Sequence, residues 1–137
     1  PDILANGNIL LFDNYGQFQG AEGRSRIIEF DPRDMRIVWQ YGGTREAPLE
    51  SDIRSAQQRL DNGNTLIEES NGGRIAEVNR EGQIVWEFVN PVSGGKNGDM
   101  LPVIGGAQSM AAGYFDKEFL ERIARKQRFV RLEGRMK

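Results

Sequence analysis

Apolar and polar positions alternate along most of this chain in short runs, and turns rich in glycine, asparagine and aspartate cut the runs apart. Ile9-Leu10-Leu11-Phe12, Arg26-Ile27-Ile28-Glu29-Phe30 and Arg36-Ile37-Val38-Trp39-Gln40-Tyr41 form one group. Thr65-Leu66-Ile67, Arg74-Ile75-Ala76-Glu77-Val78 and Gln83-Ile84-Val85-Trp86-Glu87-Phe88 form a second. Runs of this length between turn residues read as strands. Asn6-Gly7-Asn8 and Asn62-Gly63-Asn64 fit type I′ hairpin turns, in which both central residues take positive φ. Asn71-Gly72-Gly73 and Arg80-Glu81-Gly82 make the next reversals, and Ser55-Ala56-Gln57-Gln58-Arg59-Leu60 adds a strand upstream. The second group thus predicts four consecutive strands between residues 55 and 89.

The two groups are copies of one another, offset by 48 residues between Arg26 and Arg74 and by 47 between Trp39 and Trp86. A repeating four-stranded antiparallel meander is the pattern of β-propeller blades, each of which needs a neighbour to cover its faces. A two-sheet sandwich offers the same strand count but does not oblige turns and tryptophans to recur at matched positions. The expected fold is therefore all-β: propeller blades forming a partial propeller, with a short C-terminal helix. Residues 1–44 form an incomplete blade with a glycine-rich loop insertion, and residues 45–96 a complete blade. Residues 97–137 hold a strand remnant of a further blade, the helix and a basic tail. In that last region Gly106-Ala107-Gln108-Ser109 echoes Ser55-Ala56-Gln57-Gln58, and the echo then stops without another Asn-Gly-Asn. The chain accordingly reads as the last blades of a longer propeller, whose other blades are its expected partners; self-association through open sheet edges is the alternative. From Asp116 the period becomes helical, with Phe115, Phe119, Leu120, Ile123 and Ala124 on one stripe. That stripe is expected to pack on the sheets.

Composition narrows the chemistry. A length of 137 residues with 38% hydrophobic and 28% charged content suits one globular domain. The longest aliphatic run is too short to span a bilayer, so no membrane span is expected. No cysteine is present, which excludes disulfides and thiolate chemistry, and no histidine, which removes the commonest general base near neutral pH. The net charge of −2 divides into −6 over residues 1–112 and +4 beyond. An acidic body argues against nucleic acid as a partner, and the basic end reads as a solvated helix face.

Few residues suggest a site. Asp31-Pro32-Arg33-Asp34 is a turn, and Glu68 and Glu69 are adjacent on a strand and point to opposite faces, so no metal site is expected. Trp39 and Trp86 occupy matched positions, as packing between blades requires, and no quinone or other cofactor is assigned to them. The segment between Phe12 and Ile27 carries the long loop absent from the second copy. Asn14 at its start and Arg26 at its end offer an amide and a guanidinium, a pair suited to an oxyanion such as sulfate or phosphate. A turn asparagine and a surface arginine are the other reading of the same two residues.

The order Phe12-Asp13-Asn14, Ser25-Arg26-Ile27-Ile28-Glu29-Phe30-Asp31-Pro32, Ile37-Val38-Trp39-Gln40-Tyr41, then residues 55–67 and 71–91, resembles the arylsulfotransferase propeller family. The resemblance implies a six-bladed propeller, in the periplasm or outside the cell, that moves a sulfuryl group from a phenol ester to another phenol through a histidine nucleophile. It implies that Asn14 and Arg26 bind the sulfuryl oxygens of a small aromatic sulfate ester. The chain departs from the family in having no histidine: where a late one is expected it reads Val103-Ile104-Gly105-Gly106-Ala107. A binding or interaction propeller without the transfer reaction is the alternative the residues leave open.

Overall fold

A computed structural model describes residues 1–14, 25–49, 51, 54–92, 94–98 and 103–133, with side chains through residue 125 except at 112. The glycine-rich insertion and the basic tail lie outside the described side chains. Among the described residues, eight strands form two four-stranded antiparallel meanders. The first contains β1 (Asp2–Ile3), β2 (Ile9–Asp13), β3 (Arg26–Asp31) and β4 (Arg36–Tyr41). The second contains β5 (Ala56–Arg59), β6 (Thr65–Glu69), β7 (Arg74–Val78) and β8 (Ile84–Val89). The expectation of propeller blades is met in this form, two blade-like sheets without a closed ring. The first strand of the first sheet is only two residues long.

Each turn has a chemical reason, and it differs from the expected type I′ geometry. Among the residues of the two Asn-Gly-Asn turns only the glycines are left-handed, Gly7 at φ 84° and Gly63 at φ 87°. Gly7 N–H bonds Leu4 C=O at 2.8 Å and Leu4 N–H bonds Asn8 C=O at 2.8 Å. These bonds define a three-residue loop, a type I turn followed by a glycine bulge, rather than a two-residue one. Asn6 closes it by accepting the Asn8 N–H on Oδ1 at 3.0 Å, and Asn62 does the same for Asn64 at 3.0 Å. Asparagine is selected there for its side-chain acceptor, not for positive φ.

The core lies between the sheets. Leu10, Ile27 and Tyr41 from the first sheet meet Ile67 and Val78 from the second, and Leu49 enters from the β4–β5 connection. Strand alternation explains the choice: Ile27, Glu29 and Asp31 are buried while the residues between them are only half-buried. Phe12 and Trp39 pack on the edge of this cluster. Trp39 also reaches across, donating Nε1–H to Arg80 C=O at 2.9 Å, with the guanidinium carbons of Arg59 and Arg80 4.8 and 5.4 Å from its ring centroid. Packing between sheets is thus the role of Trp39. Trp86, its counterpart, is 50% exposed.

Beyond β8 the chain lies against the second sheet without forming a ladder. Ile104 exchanges bonds with Ser70, its N–H to Ser70 C=O at 3.2 Å and its C=O from Ser70 Oγ at 2.7 Å. Ser109 and Gln58 bond reciprocally at 2.8 and 3.1 Å. Of the expected strand remnant, residues 101 and 102 lie outside the described residues, and residues 103–110 form no assigned strand and are held by these contacts. The helix α1 (Lys117–Glu133) is capped by Asp116, whose Oδ1 accepts the Phe119 N–H at 2.8 Å. Its stripe does not pack on the sheets as expected: Phe115, Leu120 and Ile123 remain exposed, and Phe115 stacks on Phe119 instead, with centroids 4.9 Å apart. It spans 17 residues, the C-terminal helix expected.

Candidate functional site

One end of the two sheets gathers the chemically suggestive residues. The β2–β3 connection, the β4–β5 connection and the β6–β7 turn all open there. Asn14 leaves β2 immediately after Asp13, and Arg26 begins β3 directly opposite Asp13 in the register. The antiparallel pairing therefore brings Asn14 and Arg26 to the same end of one hairpin, although twelve positions separate them in sequence.

Arg26 is held by one edge. Its Nε donates to Asp13 Oδ2 at 3.0 Å, and its side chain is 42% exposed. No described residue hydrogen-bonds its two terminal nitrogens, so the fork that recognises planar oxyanions stays open. Asn14 has a buried Oδ1 without a hydrogen-bond partner among the described residues. A buried amide oxygen in that state favours a ligand bearing a donor, such as a phenolic hydroxyl, and a rotated amide presents its NH₂ to an oxyanion instead. The register brings the two expected ligands to the same end of one hairpin, and no hydrogen bond joins them.

The Arg26–Asp13 pair recurs in the second sheet. Arg74 faces Glu69 in the register, with NH1 3.4 Å from Glu69 Oε2 and Nε 2.6 Å from Glu87 Oε1. Arg74 is only 17% exposed because the first sheet covers its face. Burial acts to lower its pKa, but the hydrogen bond and charge of Glu87, with the charge of Glu69, outweigh it and raise it. The recurrence shows that a carboxylate–arginine rung is part of the repeat, and that only the first copy keeps its guanidinium open.

A line of serines links the sheets beside this end. Ser25 Oγ donates to Ser51 C=O and accepts the Ser51 N–H at 3.2 Å, Ser51 and Ser55 join hydroxyls, and Ser55 Oγ accepts the Ser70 N–H at 3.2 Å. Ser25 and Ser70 are fully buried, so this line fixes the site end and is not a nucleophile array.

Glu68 is the residue that the sequence did not single out as functional. It is 2% exposed, its Oε1 has no hydrogen-bond partner among the described residues, and no described cation pairs with it. Burial pushes its pKa above the usual glutamate value, against a smaller lowering by the Ala107 N–H. Alternation along β6 foretold that Glu68 and Glu69 point apart, and they do, but burial depends on residue 107 folding back, which no local pattern encodes. Among the described residues no cluster of three acidic side chains could hold a metal. No described helix is long and apolar enough to cross a membrane.

A family model described as arylsulfotransferase matches residues 2–91. The matched span covers both sheets and ends before the extended segment and helix. No curated protein matches the chain.

Proposed function

We propose that this chain, which belongs to the arylsulfotransferase family, serves sulfuryl transfer from a phenolic sulfate ester to an acceptor phenol. The supporting observation is the open guanidinium fork of Arg26 at the hairpin end that also carries Asn14, in a sheet that lies within the family match. Arg26 and an Asn14 NH₂ would hold the non-bridging sulfuryl oxygens and offset the charge that builds on them as the transferring group moves. In the reaction the donor's S–O bond breaks and a phenolate leaves. A new S–O bond forms to the acceptor oxygen, whose proton passes to a base. The chain contains no histidine, so an imidazole nucleophile would come from outside these 137 residues. The family's periplasmic or extracellular setting is the proposed location.

A second reading has its own support. The Arg26–Asp13 rung repeats as Arg74–Glu69, a pair with structural partners on every side. On that reading the protein is a binding propeller that keeps the architecture without the transfer. A chromogenic phenyl sulfate with an added phenol distinguishes the two. Transfer should occur with the wild-type chain in its full assembly, and Arg26→Ala should lower it at least a hundredfold with the fold intact. Sulfate ester binding without turnover favours the second reading, and binding that Arg26→Ala leaves unchanged sinks the oxyanion assignment.

A further inference from the structure

The contact between the two sheets is organised around a carboxylate, and the second sheet repeats that carboxylate without its cations. In the first sheet Glu29 is 2% exposed. Its Oε1 accepts from Asn6 Nδ2 at 3.4 Å and Asn8 Nδ2 at 2.8 Å. Its Oε2 accepts from Arg59 at 2.9 Å and Arg80 at 2.6 Å, both supplied by the second sheet. The same two guanidinium groups lie over Trp39, the register partner of Glu29. Two asparagines fix one carboxylate oxygen, and a tryptophan and the other oxygen receive arginine.

Glu77 repeats the first half of this arrangement. Its Oε1 accepts from Asn62 Nδ2 at 3.1 Å and Asn64 Nδ2 at 2.6 Å, and its register partner is Trp86. The second half is missing. No described basic side chain pairs with Glu77, and Trp86 stands half exposed at the open face of β8. The extended segment that follows explains why. By its echo of residues 55–58, it places Met110 where the preceding copy has Arg59. The chain then enters α1 instead of making another turn like that of Arg80. A cavity of about 540 Å³ remains, bordered by Glu77, Asn62, Asp61, Ser109 and Met110.

We propose that Glu77 and Trp86 form a guanidinium-binding latch. Its occupant is an arginine presented by a further sheet of this same repeat, on a turn like that of Asn79-Arg80-Glu81-Gly82-Gln83. Charge complementarity and the filled copy 48 positions earlier carry the assignment. Lysine fits poorly, because the filled copy uses flat groups that rest on the indole while bonding the carboxylate edge. The latch is independent of sulfuryl transfer.

The probe is an acetylated, amidated Asn-Arg-Glu-Gly-Gln peptide titrated into the intact chain, observed through the indole Nε1–H resonances of the two tryptophans. Trp86 should shift saturably while Trp39, already bonded to the Arg80 carbonyl, stays in place. The same peptide with lysine or citrulline for arginine should bind at least tenfold more weakly, and Glu77→Gln should reduce the Trp86 response similarly, while Trp86→Leu, which removes that resonance, should show the same loss by isothermal titration calorimetry. Equal response to the lysine peptide, or undiminished response in Glu77→Gln, overturns the latch. A second copy seated on this face would appear as a Trp86 shift that follows protein concentration and persists in Glu77→Gln, and that too overturns it. Both variants alter exposed or half-exposed positions, and an unchanged Trp39 resonance reports that the sheets remain joined.

Discussion

Two buried glutamates, one in each sheet, show how surroundings reverse the consequence of one residue type. Burial alone would raise the pKa of Glu29, but the hydrogen bonds from Arg80, Asn8 and Asn6 and the charge of Arg80 outweigh it and lower it. A lowered folded-state value means that the ionised form stabilises the fold above the ordinary glutamate pKa of 4.5, and that this contribution is lost as pH falls through the lower folded value. Glu29→Gln should cost about 3 kcal/mol at pH 7, since it strands Arg59 and Arg80 against each other. Urea unfolding across acid pH should show the wild-type advantage vanish below the carboxylate range. Glu68 has the opposite sign. Its raised pKa means that stability contributed by the protonated form is present below 4.5 and is lost as pH rises through the folded value. Glu68→Gln should therefore stabilise the protein by about 1 kcal/mol at neutral pH. A destabilised variant would instead mean that a cation pairs with the Glu68 carboxylate in the folded protein.

At the scale of elements, the connection between β4 and β5 decides whether the core closes. Gly43 sits at φ 81°, and a Cβ there would lie 2.4 Å from Leu49 N and 2.5 Å from Ala47 O. The backbone approach is what lets Leu49 N–H bond Gly42 C=O at 3.0 Å and carry its side chain, 2% exposed, into the core. Gly43→Ala should cost about 3 kcal/mol, combining a left-handed backbone with lost burial of Leu49. Thermal unfolding by circular dichroism would test it, and a melting temperature within a degree of wild type would refute the close-approach argument. The helix is held differently. Asp116→Ala removes the cap bond to Phe119 and should weaken α1 by about 1 kcal/mol while leaving the strands unaffected. Hydrogen exchange should show faster amides only in the first turn.

For the molecule as a whole, the question is how two sheets act as one folded unit. Trp39 and the Glu29 cluster supply most of the specific contact between them, beside the aliphatic core. Trp39→Ala should cost about 3 kcal/mol and split the unfolding into two transitions, because each sheet then keeps its own ladder but loses the shared face. A single sharp transition at a lower midpoint would mean that the core residues alone couple the sheets. The open face of β8, with Ile84, Trp86 and Phe88 exposed, is the counterpart of the face of β4 on which Trp39 and Tyr41 are covered.

The sequence by itself determined the strands, their order and the paired tryptophans, because period-two alternation and turn residues are local and the repeat states them twice. It also determined the cap of α1, since a capping aspartate acts within four residues. It misread the Asn-Gly-Asn turns as type I′, because asparagine fits both positive φ and a side-chain acceptor, and only the folded backbone, with positive φ at Gly7 and Gly63 and the bonds from Asn8 and Asn64 N–H to Asn6 and Asn62 Oδ1, shows which role it takes. It placed Asn14 and Arg26 at one sheet end but could not tell that Arg26 gives its Nε to Asp13, nor that Arg74 repeats the pair. Which glutamate is stabilised and which is merely buried, and where the helix stripe lies, were decided by tertiary structure. Those outcomes depend on residues up to 51 positions apart meeting, as Arg80 meets Glu29, and no periodicity in a single strand carries that information.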